Sequence, residues 1–109
     1  MLRAGTRAAA PTVVLYVMAT ESAGDARAGF IVGRSVGGSV VRHRVARQLR
    51  HLMVGHVEDL APGTDVVIRA LPRAGAAPSG ELSADVSACL GRAMAKLGHR
   101  AGTAAVVSL

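Results

Sequence analysis

The stretch Arg42-His43-Arg44-Val45-Ala46-Arg47-Gln48-Leu49-Arg50 combines four arginines with apolar residues at helical spacing. Ser39 belongs to the residue types that cap helices, so the pattern predicts a helix from Ser39 to about Gly55. At about 100° per residue, the apolar residues share one face: Val41, Val45, Leu49, Leu52 and Met53. The opposite face is basic, with Arg42 at its border: His43, Arg44, Arg47, Arg50 and His51. We expect the apolar face to pack on a sheet and the basic face to present guanidinium groups.

Strand-like segments flank this helix, and a second helix follows. Apolar, β-branched residues predict strands at 12–18, 28–34 and 64–71, and the turn residues of 20–28 suggest that the first two form a hairpin. The second helix begins after Ser79 and has an apolar stripe: Leu82, Val86, Cys89 or Leu90, Met94 and Leu97. Residues 1–11 are expected to be a loose arm, and residues 104–109 a further short strand.

These segments predict an α+β fold in two layers, with a small mixed sheet and two helices. The order strand, strand, helix, strand, helix makes the arginine-rich helix a crossover between strands. The chain has 109 residues, half of them hydrophobic, which suits a modest core and argues against disorder. We therefore expect a single domain spanning residues 1–109.

The formal net charge is +6, the difference between thirteen basic residues (twelve arginines and Lys96) and seven acidic ones. Residues 26–57 hold six arginines and no acidic residue, a distribution typical of a surface that binds a polyanion. Two interpretations of the arginine excess stay open. One is codon bias as a partial cause, because Ala, Gly and Val are also abundant. The other is phosphate recognition, because guanidinium groups match the geometry of phosphate oxygens.

The chain shows no residue pattern typical of a protein active site. Residues 33–39 (GRSVGGS) resemble a nucleotide-binding loop, but Ser39 stands where that loop has its lysine. The histidines lack the spacing of a zinc site: His43, His51, His56 and His99. Cys89 is the only cysteine, which excludes an internal disulfide, and we expect it in the core. No stretch approaches the ~20 apolar residues of a membrane span, so we expect a cytoplasmic protein.

Tyr16 and Phe30 are the only aromatic residues, one on each of the first two predicted strands. A ring in a groove can stack on a single-stranded base, which contributes about 1–3 kcal/mol. The alternative is that both rings fill the core, which we favour for Phe30. The polar tip of Tyr16 suits the wall of a groove.

Residues 28–53 (AGFIVGRSVGGSVVRHRVARQLRHLM) and 66–72 (VVIRALP) closely resemble the signature of the bacterial ribonuclease P protein family. The resemblance extends from Gly5 to about Leu97 and implies a left-handed crossover at the arginine-rich helix, against the usual rule. It implies a protein subunit that assists a catalytic RNA in removing the 5′ leader from precursor tRNA. Catalysis would then belong to the RNA and its magnesium ions, with no catalytic protein residue and no metal bound by the protein alone.

The resemblance also implies which residues contact RNA. The arginine-rich helix and the preceding loop would bind the ribonuclease P RNA through five arginines: Arg34, Arg42, Arg44, Arg47 and Arg50. We expect His43 to join them because it lies on the same basic face. A cleft beside the sheet would hold the leader of precursor tRNA, lined by Tyr16 and by Phe30 on the other predicted strand of the hairpin.

The chain departs from the family pattern at several positions. His43 stands where the motif has Asn, Ala46 where it has Lys, and Gln48 where it often has Arg. Ser35 and Gly38 replace a frequent Lys and a frequent Asn, so we expect weaker leader binding. Family members also carry a helix before the counterpart of residues 3–5, and we expect either an upstream start or a truncation here.

Two other functions are compatible with the charge pattern. One is a general module that binds ribosomal or structured RNA without a role in tRNA processing. The other is an amphipathic helix lying on a membrane surface, which the lack of Trp and Phe in residues 40–55 disfavours.

Overall fold

The structure, a computed structural model, describes residues 2–21 and 24–108. It contains four strands and two α-helices, in the order β1 Leu2–Ala9, β2 Val13–Thr20, β3 Arg27–Ile31, α1 Ser39–Val57, β4 Thr64–Ala70 and α2 Ser79–Ser108. A first 3₁₀ turn at Arg34–Val36 precedes α1, and a second at Pro72–Gly75 precedes α2. The two-layer α+β prediction is confirmed.

The four strands form one mixed sheet in the order β1-β2-β4-β3. β2 is antiparallel to both β1 and β4, whereas β3 is parallel to β4. The predicted hairpin between the first two strand segments is therefore wrong, because β4 lies between β2 and β3. Parallel neighbours need a crossover, and α1 supplies it from β3 to β4. The left-handedness of that crossover stays a prediction.

Residues 2–9 form strand β1 and not the loose arm that we predicted for residues 1–11. The strand pairs with β2 from Leu2 opposite Thr20 to Ala9 opposite Val14. Its glycine and alanines have low intrinsic β propensity, so tertiary pairing with the strongly β-prone β2 decides its conformation. Thr6 also ties it to α2, since Thr6 Oγ1 donates a 2.8 Å hydrogen bond to the carbonyl of Ala93.

The core lies on one face of the sheet, beneath both helices. The inward positions of β2 and β4 are almost completely buried: Val13, Leu15, Val17, Val66, Ile68 and Ala70. The helices cover them with apolar side chains: Val45, Leu49, Met53, Leu82, Val86, Cys89, Leu90, Ala93 and Leu97. Cys89 is fully buried, which confirms that it is a core residue.

Helix α2 continues to Ser108, so the short strand that we predicted at residues 104–109 is wrong for 104–108. Leu109 lies outside the described residues. Alanines at 101, 104 and 105 are strong helix formers, which allows the helix begun at Ser79 to continue. Among the helices of the described chain, none combines the length and apolar character that crossing a membrane would need.

Candidate nucleic-acid interface

Helix α1 has the two faces that the sequence predicts. Val45, Leu49 and Met53 are buried under it, whereas Val41 and Leu52 at the margins are half-buried. The arginine face, as we call the exposed side, consists of His43, Arg44, Arg47, Arg50 and His51. Arg42 is half-buried, in agreement with its expected border position. The helix thus presents its cations to solvent from a firmly packed base.

The start of α1 differs in detail from the prediction. The N-cap residue is Gly38, in extended conformation and without a side-chain cap, and Ser39 is the first helical residue. Gly37 has φ 155°, a conformation that favours glycine, and a Cβ there would lie 2.9 Å from the Cβ of Val41. This tight turn joins the first 3₁₀ turn to α1 and holds the exposed Arg34 beside the helix N-terminus.

Arg44 has a structural contact that sequence reasoning missed. Its Nη2 donates a 2.6 Å hydrogen bond to the carbonyl oxygen of Gly75 in the second 3₁₀ turn. Gly75 also lies so close to the first 3₁₀ turn that a Cβ would be 2.1 Å from the carbonyl oxygen of Val36. Both 3₁₀ turns and the start of α1 therefore form one packed unit. No sequence motif links residues 44 and 75, so only the fold reveals this contact.

Two other arginines are paired. Arg27 makes a bidentate ion pair with Asp65, with N–O distances of 3.1 Å, and Arg73 makes one with Glu81 at 2.9 and 3.0 Å. These hydrogen bonds, and then the attraction of the carboxylates, raise the pKa of both guanidinium groups. Both pairs are exposed, so neither adds much to stability.

The remaining basic residues of the candidate interface have no such partner. Among the residues that the structure describes, none forms a hydrogen bond or ion pair with these side chains: Arg34, His43, Arg47, Arg50 and His51. Unpaired guanidinium groups retain all their donors for an external anion. The interface is consequently a set of unpaired basic side chains around α1. Arg44 differs from them because it also bonds to the carbonyl of Gly75.

A groove runs between α1 and β3, which we call the α1–β3 groove. Its lining combines a ring, small residues and cations: Phe30, Val32, Ser39, Arg42, His43, Ala46 and Arg50. Phe30 is half-buried and packs against the core, so its ring has both an inner and an accessible side. Phe30 thus packs against the core, as we favoured, and also lines the groove.

The second surface is the open face of the sheet, the side opposite both helices. Strand register aligns Arg7, Tyr16, Val67 and Gly29 in one row across it. Tyr16 is half-buried and lines a shallow groove. The residues around Tyr16 are Gly5, Thr6, Arg7, Met18, Val67 and Lys96. This groove offers a ring, apolar side chains and two cations: Arg7 of β1, and Lys96, which reaches the edge of β1 from α2. Sequence analysis did not assign either cation to a site.

Tyr16 and Phe30 lie on opposite faces of the sheet. Tyr16 is in register with Val67 on the open face, whereas Phe30 pairs with the buried Ile68 and faces α1. The structure therefore does not bring together the two rings that we assigned to one cleft. The assignment followed from the expected hairpin, and the insertion of β4 places the two strands apart.

The acidic residues do not form a metal site in the described structure. No three side chains of the His, Cys, Asp or Glu types converge within residues 2–21 and 24–108. Asp65 and Glu81 are bonded to arginines, and Asp85 accepts hydrogen bonds from the hydroxyl and backbone N–H of Thr12, at 2.7 and 3.2 Å.

Comparisons with known proteins agree with this geometry. A family model described as Ribonuclease P matches residues 1–94. The ribonuclease P protein component of Streptomyces avermitilis is 46% identical over 99 residues, covering 84% of this chain and 80% of the relative. That of Corynebacterium diphtheriae is 44% identical over 95 residues, covering 82% and 80%.

Solved structures share the fold at low sequence identity. The RNase P protein of Staphylococcus aureus superposes with a TM-score of 0.71 at 20% identity, covering 80% of this chain and 79% of that one. The RNase P protein of Thermotoga maritima gives a TM-score of 0.64 at 15% identity, covering 75% and 79%. At these identities the likeness concerns the fold alone.

Proposed function

The chain belongs to the ribonuclease P protein family, and from that membership we propose that it binds both the RNA subunit and the 5′ leader of precursor tRNA. It is the protein component of a ribonuclease P ribonucleoprotein. In the proposed division of labour, α1 engages the RNA subunit and the open face of the sheet engages the leader.

The observation that carries the proposal is the set of unpaired cations on and beside α1. Arg34, Arg47 and Arg50 are exposed and have no partner among the described residues. An arginine guanidinium group can bind two phosphate oxygens through parallel hydrogen bonds. Such binding displaces counterions from the RNA, which makes it salt-dependent. The rigid core beneath α1 supports this role, because it holds the cations at fixed spacing.

The open face fits a single strand of RNA. Tyr16 offers a ring for base stacking beside the apolar Met18 and Val67. Arg7 and Lys96 flank the ring and carry the charge that a phosphate backbone attracts, although Lys96 Nζ also donates to the carbonyl of Arg7 at 2.9 Å. We therefore assign the leader to Tyr16 and the open face, without Phe30.

We propose that hydrolysis is performed by the RNA subunit with magnesium ions. Magnesium prefers carboxylate and phosphate oxygens. The carboxylates of Asp65, Glu81 and Asp85 are already bonded to protein donors, so they do not fit a metal site. In this proposal the protein contributes affinity for substrate and orientation of the leader.

Binding and cleavage measured together test the proposal. We expect tight, salt-sensitive binding to ribonuclease P RNA, weaker binding to ribosomal RNA fragments, and faster cleavage of precursor tRNA when the protein is added to the RNA subunit. Equal affinity for an unrelated structured RNA, without stimulation of cleavage, would instead identify a general RNA-binding module. Tyr16→Ala should raise KM for precursor tRNA with a leader and leave RNA-subunit binding unchanged.

A further inference from the structure

The α1–β3 groove combines features that suit one flat, hydrogen-bonding ligand. Phe30 and Val32 contribute apolar surface, and one stripe of α1 forms the other wall with Ser39, Arg42, His43, Ala46 and Arg50. The groove is an open depression of about 430 Å³. A surface that binds only phosphate groups needs basic residues and no aromatic ring. The ring of Phe30 beside the basic residues therefore points to a ligand that also has a flat face.

Ala46 determines the shape of this groove. It lies one helical turn from both Arg42 and Arg50, at the centre of the stripe, and its single methyl group leaves space in front of Phe30. A long side chain at residue 46 would fill that space. The ring of Phe30 is accessible from the groove because the central residue of the helix wall is small.

The walls of the groove carry positive charge and an unsatisfied donor. Arg42, His43 and Arg50 line it, and no carboxylate does among the described residues. Nε of Arg42 is buried and has no hydrogen-bond partner within the described chain. A carbonyl oxygen, ring nitrogen or phosphate oxygen that reaches Arg42 Nε would satisfy this donor.

We propose that the α1–β3 groove binds one unstacked nucleotide of the ribonuclease P RNA, with its base on Phe30 and its phosphate held by Arg42, His43 and Arg50. The ring supplies stacking, and the two arginines supply charge complementarity. The inference rests on the proposed function. It commits to the RNA subunit because the groove lies on the α1 side of the sheet, opposite the Tyr16 face assigned to the leader.

Ala46→Lys separates this inference from simple charge attraction. The substitution adds one positive charge but fills the groove, and lysine keeps high helix propensity. If α1 acts only as a charged surface, affinity for ribonuclease P RNA rises. If a base enters the groove, affinity falls by about tenfold, the equivalent of one lost stacking contact.

Val54→Lys is the matched control. Val54 lies on the same helix, is 67% exposed and does not line the groove. It should bind ribonuclease P RNA as tightly as the native chain or more tightly. Ala46→Gln, which fills the groove without charge, should lose affinity like Ala46→Lys, and circular dichroism checks that each variant is folded.

The experiment is filter binding to the transcribed ribonuclease P RNA across a salt series, followed by chemical probing of its bases. We expect one base whose reactivity changes with native protein and not with Ala46→Lys. Equal or tighter binding by Ala46→Lys overturns the groove inference and leaves the proposed function intact. A defect seen only in KM for leader-bearing precursor tRNA overturns the assignment to the RNA subunit. If the native chain binds ribonuclease P RNA no more tightly than an unrelated structured RNA, the proposed function is refuted instead.

Discussion

At the residue scale, Gly75 shows how a surface loop can control the candidate interface. It receives the hydrogen bond from Arg44 and approaches Val36 too closely for any side chain. Sequence reasoning treated residues 72–80 as a plain connecting loop. The constraint arises from contact between two turns that are separated by α1 and β4, and no local pattern encodes such a contact.

Gly75→Ala is expected to destabilise the fold by roughly 1–3 kcal/mol, because its Cβ would overlap the carbonyl of Val36 and force the two turns apart. Urea unfolding followed by circular dichroism measures the effect. Gly80→Ala is the control, since a Cβ there meets nothing within 4 Å and alanine favours the helix by up to about 1 kcal/mol. Equal behaviour of the two variants would show that the turns are not packed as described.

Arg44 and Arg47 provide a second comparison on one helix. Both are exposed, but only Arg44 bonds to the fold, through the carbonyl of Gly75. Arg44→Ala should reduce the free energy of unfolding by about 1 kcal/mol, whereas Arg47→Ala should leave it unchanged. Both variants should weaken RNA binding in filter assays. A loss of stability for Arg47→Ala, or none for Arg44→Ala, would contradict this division of roles.

At the element scale, local pattern predicted some elements well and others poorly. Helix α1 and its two faces were predicted because Val45, Leu49 and the arginines follow one helical period. Strand β1 was not, since its small residues carry no strand preference and its conformation depends on β2. The hairpin error has a related cause: β4, distant in sequence, pairs with both β2 and β3 and so lies between them.

The outer edge of β1 is covered by side chains of α2. Arg92 donates to the carbonyl of Ala9 at 2.8 Å, and Lys96 donates to that of Arg7 at 2.9 Å. An uncovered edge strand exposes unpaired backbone groups. We therefore expect the double variant Arg92→Ala, Lys96→Ala to loosen β1 and so to increase hydrogen exchange several-fold at the amides of Thr6 and Ala8, which point toward β2. Amides of β4, at the centre of the sheet, serve as the internal reference and should not change.

At the scale of the whole molecule, the two faces that we propose to bind RNA lie on opposite sides of one sheet. The division explains why the candidate site could be predicted only in part. The cations of α1 are consecutive in sequence and visible there, whereas the open face assembles Arg7, Tyr16 and Val67 from three strands. A face built by strand register becomes apparent only when the strand order is known.

The unpaired arginines on and beside α1 should together determine the salt dependence of binding to ribonuclease P RNA. Each phosphate contact contributes a slope of about 0.7–0.9 in a plot of log affinity against log salt. Arg47→Ala should therefore lower the magnitude of the slope by about that amount, and Arg27→Ala should leave it unchanged because Arg27 is paired with Asp65 away from α1. A reduced slope for Arg27→Ala in the same titration would show that the RNA also contacts the surface around Arg27. That result would contradict the assignment of the salt dependence to α1.

The central position of β4 also has a consequence for biosynthesis. β4 ends at Ala70 of 109 residues, yet both β2 and β3 depend on it as a neighbour. Pairings between segments so far apart in sequence form late, because loop closure must precede them. On the ribosome, the basic helix therefore emerges before the sheet that will support it. Synthesis must pass Ala70 before the sheet can assemble and fix the arginines in their final spacing.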